Sequence, residues 1–131
     1  MSEQVNHPSH YNMGGPKEAD GTAKYEAIKV IEDWGLGFCF GNALKYILRA
    51  PHKGSEKTDY DKARWYLDRA ILNGEKPAKK FSLHMTPAEV AEGWNLPPEF
   101  ADILYTISAG TAARTILLLD AFIITKAARG S

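Results

Sequence analysis

A single cysteine, Cys39, stands among 131 residues, so no disulfide can close within the chain. Flanked by Phe38 and Phe40, it reads as a small buried hydrophobe, and such scarcity of thiols suits a reducing cytosol. Excess charge of either sign is also missing. Sixteen Lys and Arg balance 16 Asp and Glu, with a pI of about 6.9. That balance argues against wholesale binding to long nucleic acid or to a membrane surface. The most apolar run, from Ile116 to Ile124, is interrupted by Asp120 and is too short to span a bilayer. The opening MSEQVNHPSHYN has neither a basic start nor an apolar segment, so no secretory signal is expected there. No stretch alternates apolar and polar residues long enough to make a strand. There is no G-x-x-x-x-G-K-[ST] phosphate loop; His52-Lys53-Gly54-Ser55-Glu56-Lys57-Thr58 has similar residues at the wrong spacing.

What remains is helical. A hydrophobic content of 44% supports one domain over residues 1–131 with a real core. Residues 1–22 hold Pro8, Gly14, Gly15, Pro16 and Gly21 and read as an extended N-terminal arm. Tyr25, Ile28 and Ile31 repeat at helical spacing over Tyr25 to Asp33, and Trp34-Gly35-Leu36-Gly37 is a turn. A second helix runs from Phe38 to Ala50 and stops at Pro51, which disfavours helix in the residue before it. Thr58 is expected to cap a third, Asp59 to Leu72, burying Tyr60, Ala63, Leu67, Ala70 and Ile71. Residues 74–84 form a polar linker. Thr86-Pro87-Ala88-Glu89 is a strong start, with cap, proline at the first position and glutamate at the third, for a short helix ending near Gly93. Two more cover Pro98 to Ala109 and Ala112 to Ala127. The expected fold is all-α, a helical bundle.

The chain also resembles itself. At an offset of 60, Val30, Glu32, Trp34, Leu36, Phe40, Leu44 and Ile47 meet Val90, Glu92, Trp94, Leu96, Phe100, Leu104 and Ile107. After a loop deletion, Leu67, Asp68 and Ile71 meet Leu119, Asp120 and Ile123. The pattern predicts two similar three-helix units, 23–73 and 86–128, from an internal duplication. The C-terminal unit reads as stripped of function: Asn42, Lys45 and Arg49 become Asp102, Tyr105 and Ala109, while Tyr66 and Arg69 become Leu118 and Ala121.

Candidate chemistry therefore gathers in the first unit. Asn42, Lys45 and Arg49 share one face of the second helix; Lys62, Tyr66 and Arg69 share one face of the third. Packed together, these faces would form a cationic groove suited to a phosphorylated small molecule, with Lys53 of the loop adding charge. Trp65 or Tyr66 could stack on a base. His7, His10 and Tyr11 are expected to fold over the groove with the arm, placing His10 as acid or base. The His7–His10 pair lacks the further ligands zinc takes, so no metal is expected. Glu32-Asp33 and Asp59/Asp61 could suggest Mg²⁺-dependent hydrolysis, but Glu32 recurs as Glu92 and Asp68 as Asp120 in the stripped unit, which favours scaffold roles.

His7-Pro8-Ser9-His10-Tyr11, GNALKYILRA (Gly41 to Ala50) and DKARWYLDRAI (Asp61 to Ile71) together resemble a family of small phage proteins long of unknown function, which includes the nucleotide kinase of short-tailed coliphages. The resemblance covers roughly residues 5–73. It implies a nucleotide as small-molecule partner, a host-cytoplasmic location, and phosphorylation of deoxynucleoside monophosphates without a P-loop, a metal ion or a bound cofactor. ATP or another nucleoside triphosphate would be the donor. In such a reaction Lys45 and Arg49 would take over charge neutralisation from Mg²⁺. The alternative is a non-enzymatic binder that sequesters a host-defence nucleotide signal. A homo-oligomer is expected on general grounds.

Overall fold

Helical periodicity becomes six α-helices in the computed structural model, which describes residues 13–52, 54–78 and 83–130. They are α1 (Ala27–Trp34), α2 (Phe38–Arg49), α3 (Glu56–Asn73), α4 (Pro87–Gly93), α5 (Phe100–Ser108) and α6 (Ala112–Gly130), with a 3₁₀ turn at Ala50–His52. Among the described residues the only extended pairing is an isolated bridge between Lys17 and Ala23. The all-α expectation therefore holds for the part described.

Most boundaries fall where sequence signals put them. Gly35, in the left-handed region at φ 64°, closes α1. Thr86 and Glu89 form the expected capping box: the Glu89 amide donates to Thr86 Oγ1 at 3.1 Å, and the Thr86 amide donates to Glu89 Oε1 at 3.0 Å. Two expectations need correcting. Thr58 does not cap α3, because Gly54 at φ 73° turns the chain earlier and the helix begins at Glu56. Glu56 and Asp59 then occupy the first turn, where negative charge suits the helix dipole. Ile71 is 51% exposed rather than buried. It lies one position beyond the buried stripe of Tyr60, Ala63, Leu67 and Ala70.

The core is built from α2 (Phe40, Leu44, Ile47, Leu48), α5 (Phe100, Ile103, Leu104, Ile107), Leu67 and Leu119. Cys39 is buried at its edge, as expected. α2 packs on α3, α4 on α5, and α3 against α6. Arg64–Asp120 and Lys126–Glu56, both at 2.6 Å, tie α3 to α6 in antiparallel fashion. Asp120 thus serves as scaffold, while Asp33 accepts from the amides of His84 and Met85, each at 3.0 Å.

Positions offset by 60 behave alike. The Trp34 indole N–H donates to the Met85 carbonyl at 2.7 Å, and the Trp94 indole N–H donates to the Tyr25 carbonyl at 2.8 Å. The Leu36 amide donates to Ile31 and the Leu96 amide to Ala91, both at 3.0 Å. Gly35 and Asn95 both take positive φ, 64° and 54°; asparagine is among the few other residues that tolerate this.

Residues 1–12, and with them most of the N-terminal arm, lie outside the described residues. From Met13 onward the chain is anchored. The Gly14 and Gly15 amides both donate to the Gly93 carbonyl at 3.0 Å, and Tyr25 returns an amide to Gly14. Gly15 must be glycine here: its φ is 87°, and a Cβ would lie 2.6 Å from the Tyr25 ring.

Candidate functional site

The face shared by α2 and α3 carries most of the candidate residues, and its floor is aromatic. Tyr46 of α2 and Tyr66 of α3 stack with centroids 6.0 Å apart and planes 14° apart. This pair fills the space where a groove between the helices was expected, so the cations lie on an aromatic ridge instead. Lys45 Nζ sits 4.8 Å and Lys62 Nζ 5.4 Å from the centre of the Tyr46 ring. Two ammonium groups on separate helices thus converge on one ring. Each such contact supplies about 0.5–1 kcal/mol at exposed sites, a partial offset to their mutual repulsion.

The ring system continues. Tyr66 meets Phe38 edge-on at 5.9 Å and Trp65 edge-on at 5.1 Å. Arg69, one turn further along α3, lies 5.6 Å over the Trp65 ring. Phe38 and Trp65 remain 72% and 58% exposed. Arg49 is half-buried at the end of α2. No ion pair joins Lys45, Arg49, Lys62 or Arg69 to a carboxylate among the described residues, although Lys29, Lys57, Arg64, Lys126 and Arg129 each have one.

Asn42 donates its amide to the Phe38 carbonyl at 2.8 Å, leaving its side-chain oxygen free to accept. With Phe38, Lys45, Gly37, Gly41, Ile31 and Leu36 it lines an open hollow of about 400 Å³ on the α1 side of α2. Cavity and cations therefore adjoin, with Lys45 common to both. The N-terminus of α2 is already occupied: Glu75 accepts from the amides of Cys39 (3.0 Å) and Phe40 (2.7 Å). A phosphate on this face must rely on side chains, since the helix end that would otherwise attract it holds a carboxylate. Burial, followed by the Glu75 charge, pushes the Cys39 thiol pKa upward, away from nucleophilic use.

The structure thus brings together Asn42, Lys45, Lys62, Trp65, Tyr66 and Arg69, with Arg49 at one end. His7, His10, Tyr11 and Lys53 lie outside the described residues. Sequence reasoning missed Tyr46, Phe38 and Glu75. Tyr46 was findable, four positions from Asn42 on the same helical face. Glu75 follows the glycine that ends α3 and gave no local signal that it would cap a distant helix. Among the described residues no three His, Cys, Asp or Glu side chains gather into a metal-holding cluster.

The C-terminal unit offers a contrast. The counterparts of Asn42, Lys45, Tyr46, Arg49, Lys62 and Tyr66 are Asp102, Tyr105, Thr106, Ala109, Arg114 and Leu118, and all six line a hollow of about 510 Å³. Thr106 and Leu118 stand at the positions aligned with the stacked Tyr46 and Tyr66.

The chain is therefore an all-α protein with an aromatic, cation-lined face, and no described helix is long and apolar enough to cross a membrane. Residues 5–68 match the model of a family described as a protein of unknown function (DUF3310). The match takes in α1, α2 and α3 as far as Asp68, leaving α4 to α6 outside. No curated protein and no solved structure matches the chain.

Proposed function

We propose that this chain binds a nucleotide on the α2–α3 face and phosphorylates a nucleoside monophosphate there. The observation that carries the reading is the set of four cations, Lys45, Arg49, Lys62 and Arg69, with no carboxylate partner among the described residues, three of them over aromatic rings: Lys45 and Lys62 over half-buried Tyr46, and Arg69 over exposed Trp65. Rings offer a surface for a base, and free ammonium and guanidinium groups offer charge-assisted bonds to phosphoryl oxygens. In the transfer, the bond between the γ-phosphorus and its bridging oxygen breaks, and a new bond forms to an acceptor phosphate oxygen. ADP and a nucleoside diphosphate result. Lys45 and Arg49 neutralise the moving group, and His10 handles the proton where the acceptor carries one. The resemblance of residues 5–73 to the small phage protein family supports the same assignment, as well as a host-cytoplasmic setting.

Two further parts of the reading have their own support. Matched tryptophan bonds and matched turns at an offset of 60 support descent of both halves from one helical unit. Exposed Leu117 and Ile124, seven residues apart on α6, support assembly into a homo-oligomer. The test of activity is incubation with ATP and each deoxynucleoside monophosphate, with and without EDTA, following ADP. Product insensitive to EDTA is the expected result. Tight binding without turnover would replace the kinase by a sequestering protein, and no thermal shift with any nucleotide would end both.

A further inference from the structure

Resting on the reading that this face binds nucleotides, we infer that its ligand carries at least two bases joined by phosphodiester bonds. The cations stand at both ends of the ring system. Lys45 and Lys62 converge on Tyr46; from there the rings run through Tyr66 to Trp65, where Arg69 sits. Lys62 and Arg69 are seven residues apart on α3, a rise of about 10 Å at 1.5 Å per residue. A mononucleotide has one base with all its phosphates on one side, so it engages one end and leaves the other idle. A ligand with two bases and an intervening backbone reaches both.

Exposure points the same way. Tyr46 and Tyr66 are half-buried against each other, yet Phe38 and Trp65 show 72% and 58% of their surface. One base over the tyrosine end leaves those two rings in water. A second base covers the Trp65 ring beside Arg69. Open aromatic platforms flanked by cations are how single strands are held, with stacking contributing about 1–3 kcal/mol per base. The shared chemistry has two sources, a linear single strand and a cyclic dinucleotide. Both present two bases and phosphodiester charge, and the experiment separates them.

Intrinsic fluorescence gives the titration, because Trp34 and Trp94 are buried and Trp65 alone is exposed. The probes are dTMP, the linear dinucleotide dTpdT, an eight-residue oligo(dT) and cyclic di-AMP, each at two salt concentrations. The expected result is at least tenfold tighter binding of dTpdT or cyclic di-AMP than of dTMP. Preference for the linear ligands with a further gain for oligo(dT) identifies a strand; preference for the cyclic ligand identifies a signal molecule. Trp65→Ala, read by calorimetry, should lower dTpdT or cyclic di-AMP affinity at least tenfold more than it lowers dTMP affinity. Equal affinity for dTMP and all the longer ligands overturns the inference but leaves mononucleotide binding standing. Binding of none of them removes both. Equal loss of dTMP and dinucleotide binding in Trp65→Ala also overturns it, provided that the urea midpoint is unchanged.

Discussion

Replacing Lys45 and Lys62 together by alanine separates a ligand-binding face from an ordinary solvated one. Both ammonium groups lie over the Tyr46 ring, and neither has an ion-pair partner among the described residues. The stability at stake is therefore small: two exposed cation–π contacts of about 0.5–1 kcal/mol each, partly returned by relief of their repulsion. The binding at stake is much larger. Charge-assisted hydrogen bonds contribute about 1.5–3 kcal/mol each, so losing two costs about 3–6 kcal/mol, or roughly 10²- to 10⁴-fold in affinity. Calorimetric titration with a nucleotide, alongside urea denaturation of the same preparations, reads both quantities. The expected result is affinity lowered by at least a hundredfold with an unfolding free energy within about 2 kcal/mol of the parent. Nucleotide binding that survives while stability collapses would refute the reasoning, since the lysines would then be structural members of the ridge.

Other parts of the molecule give sharper structural tests. Glu75→Gln removes the charge of the α2 cap and one of its two acceptors; a loss of about 2–4 kcal/mol in urea unfolding is expected, because one amide bond becomes neutral and the other amide faces an NH2 that cannot accept. Thr86→Ala should cost about 1 kcal/mol at pH 7 through loss of the cap hydroxyl. Its partner Glu89 has a lowered pKa, through the Thr86 backbone bond first, so the carboxylate's contribution is present above the ordinary glutamate range and lost as pH falls through the folded value. The difference between parent and Glu89→Gln should therefore shrink in urea melts below about pH 4. Burial, and then the Glu56 carboxylate to which its hydroxyl donates at 3.2 Å, raise the Tyr60 pKa. Stability from keeping this phenol neutral is complete below about pH 10 and lost as pH rises through the folded value. Thermal melts of Tyr60→Phe should show a smaller alkaline fall than the parent, after a cost of about 0.5–1.5 kcal/mol at neutral pH for the lost bond.

Helix positions were legible because the same few signals both pattern and end helices. Apolar spacing placed Phe40, Leu44 and Ile47 inside; Gly35 and the Thr86–Glu89 box marked ends that the fold keeps. The start of α3 was misplaced because Thr58 is a good cap in isolation, whereas Gly54 decides where the chain actually turns. On the candidate site, spacing grouped Asn42 with Lys45 and Lys62 with Tyr66, but could not say what fills the space between two helices. That depends on side-chain volume across a tertiary contact. Tyr46 and Tyr66 meet there and convert an expected groove into a ridge, moving the hollow to the α1 side of α2. Glu75 was invisible for the same reason, since its partners Cys39 and Phe40 lie 36 and 35 residues away.

The comparison between halves bears on whether the cations are incidental. Where this chain uses charge for stability, it pairs it: Arg64 with Asp120 and Lys126 with Glu56 hold α3 to α6. On the α2–α3 face it does the opposite, setting Lys45 and Lys62 over one ring and leaving Phe38 and Trp65 largely in water. Burying such a ring contributes about 1.5–3 kcal/mol, so each one left outside forgoes stability that a purely structural face would have taken. At the matching positions of the other half the charges are mixed, Asp102 beside Arg114, and Tyr66 is replaced by Leu118. The aligned helices therefore stand with one cation, Arg114, and one exposed ring, Tyr105, in a different arrangement. The stacked tyrosines with two lysines over one ring are the feature of the α2–α3 face that the proposed nucleotide site would use.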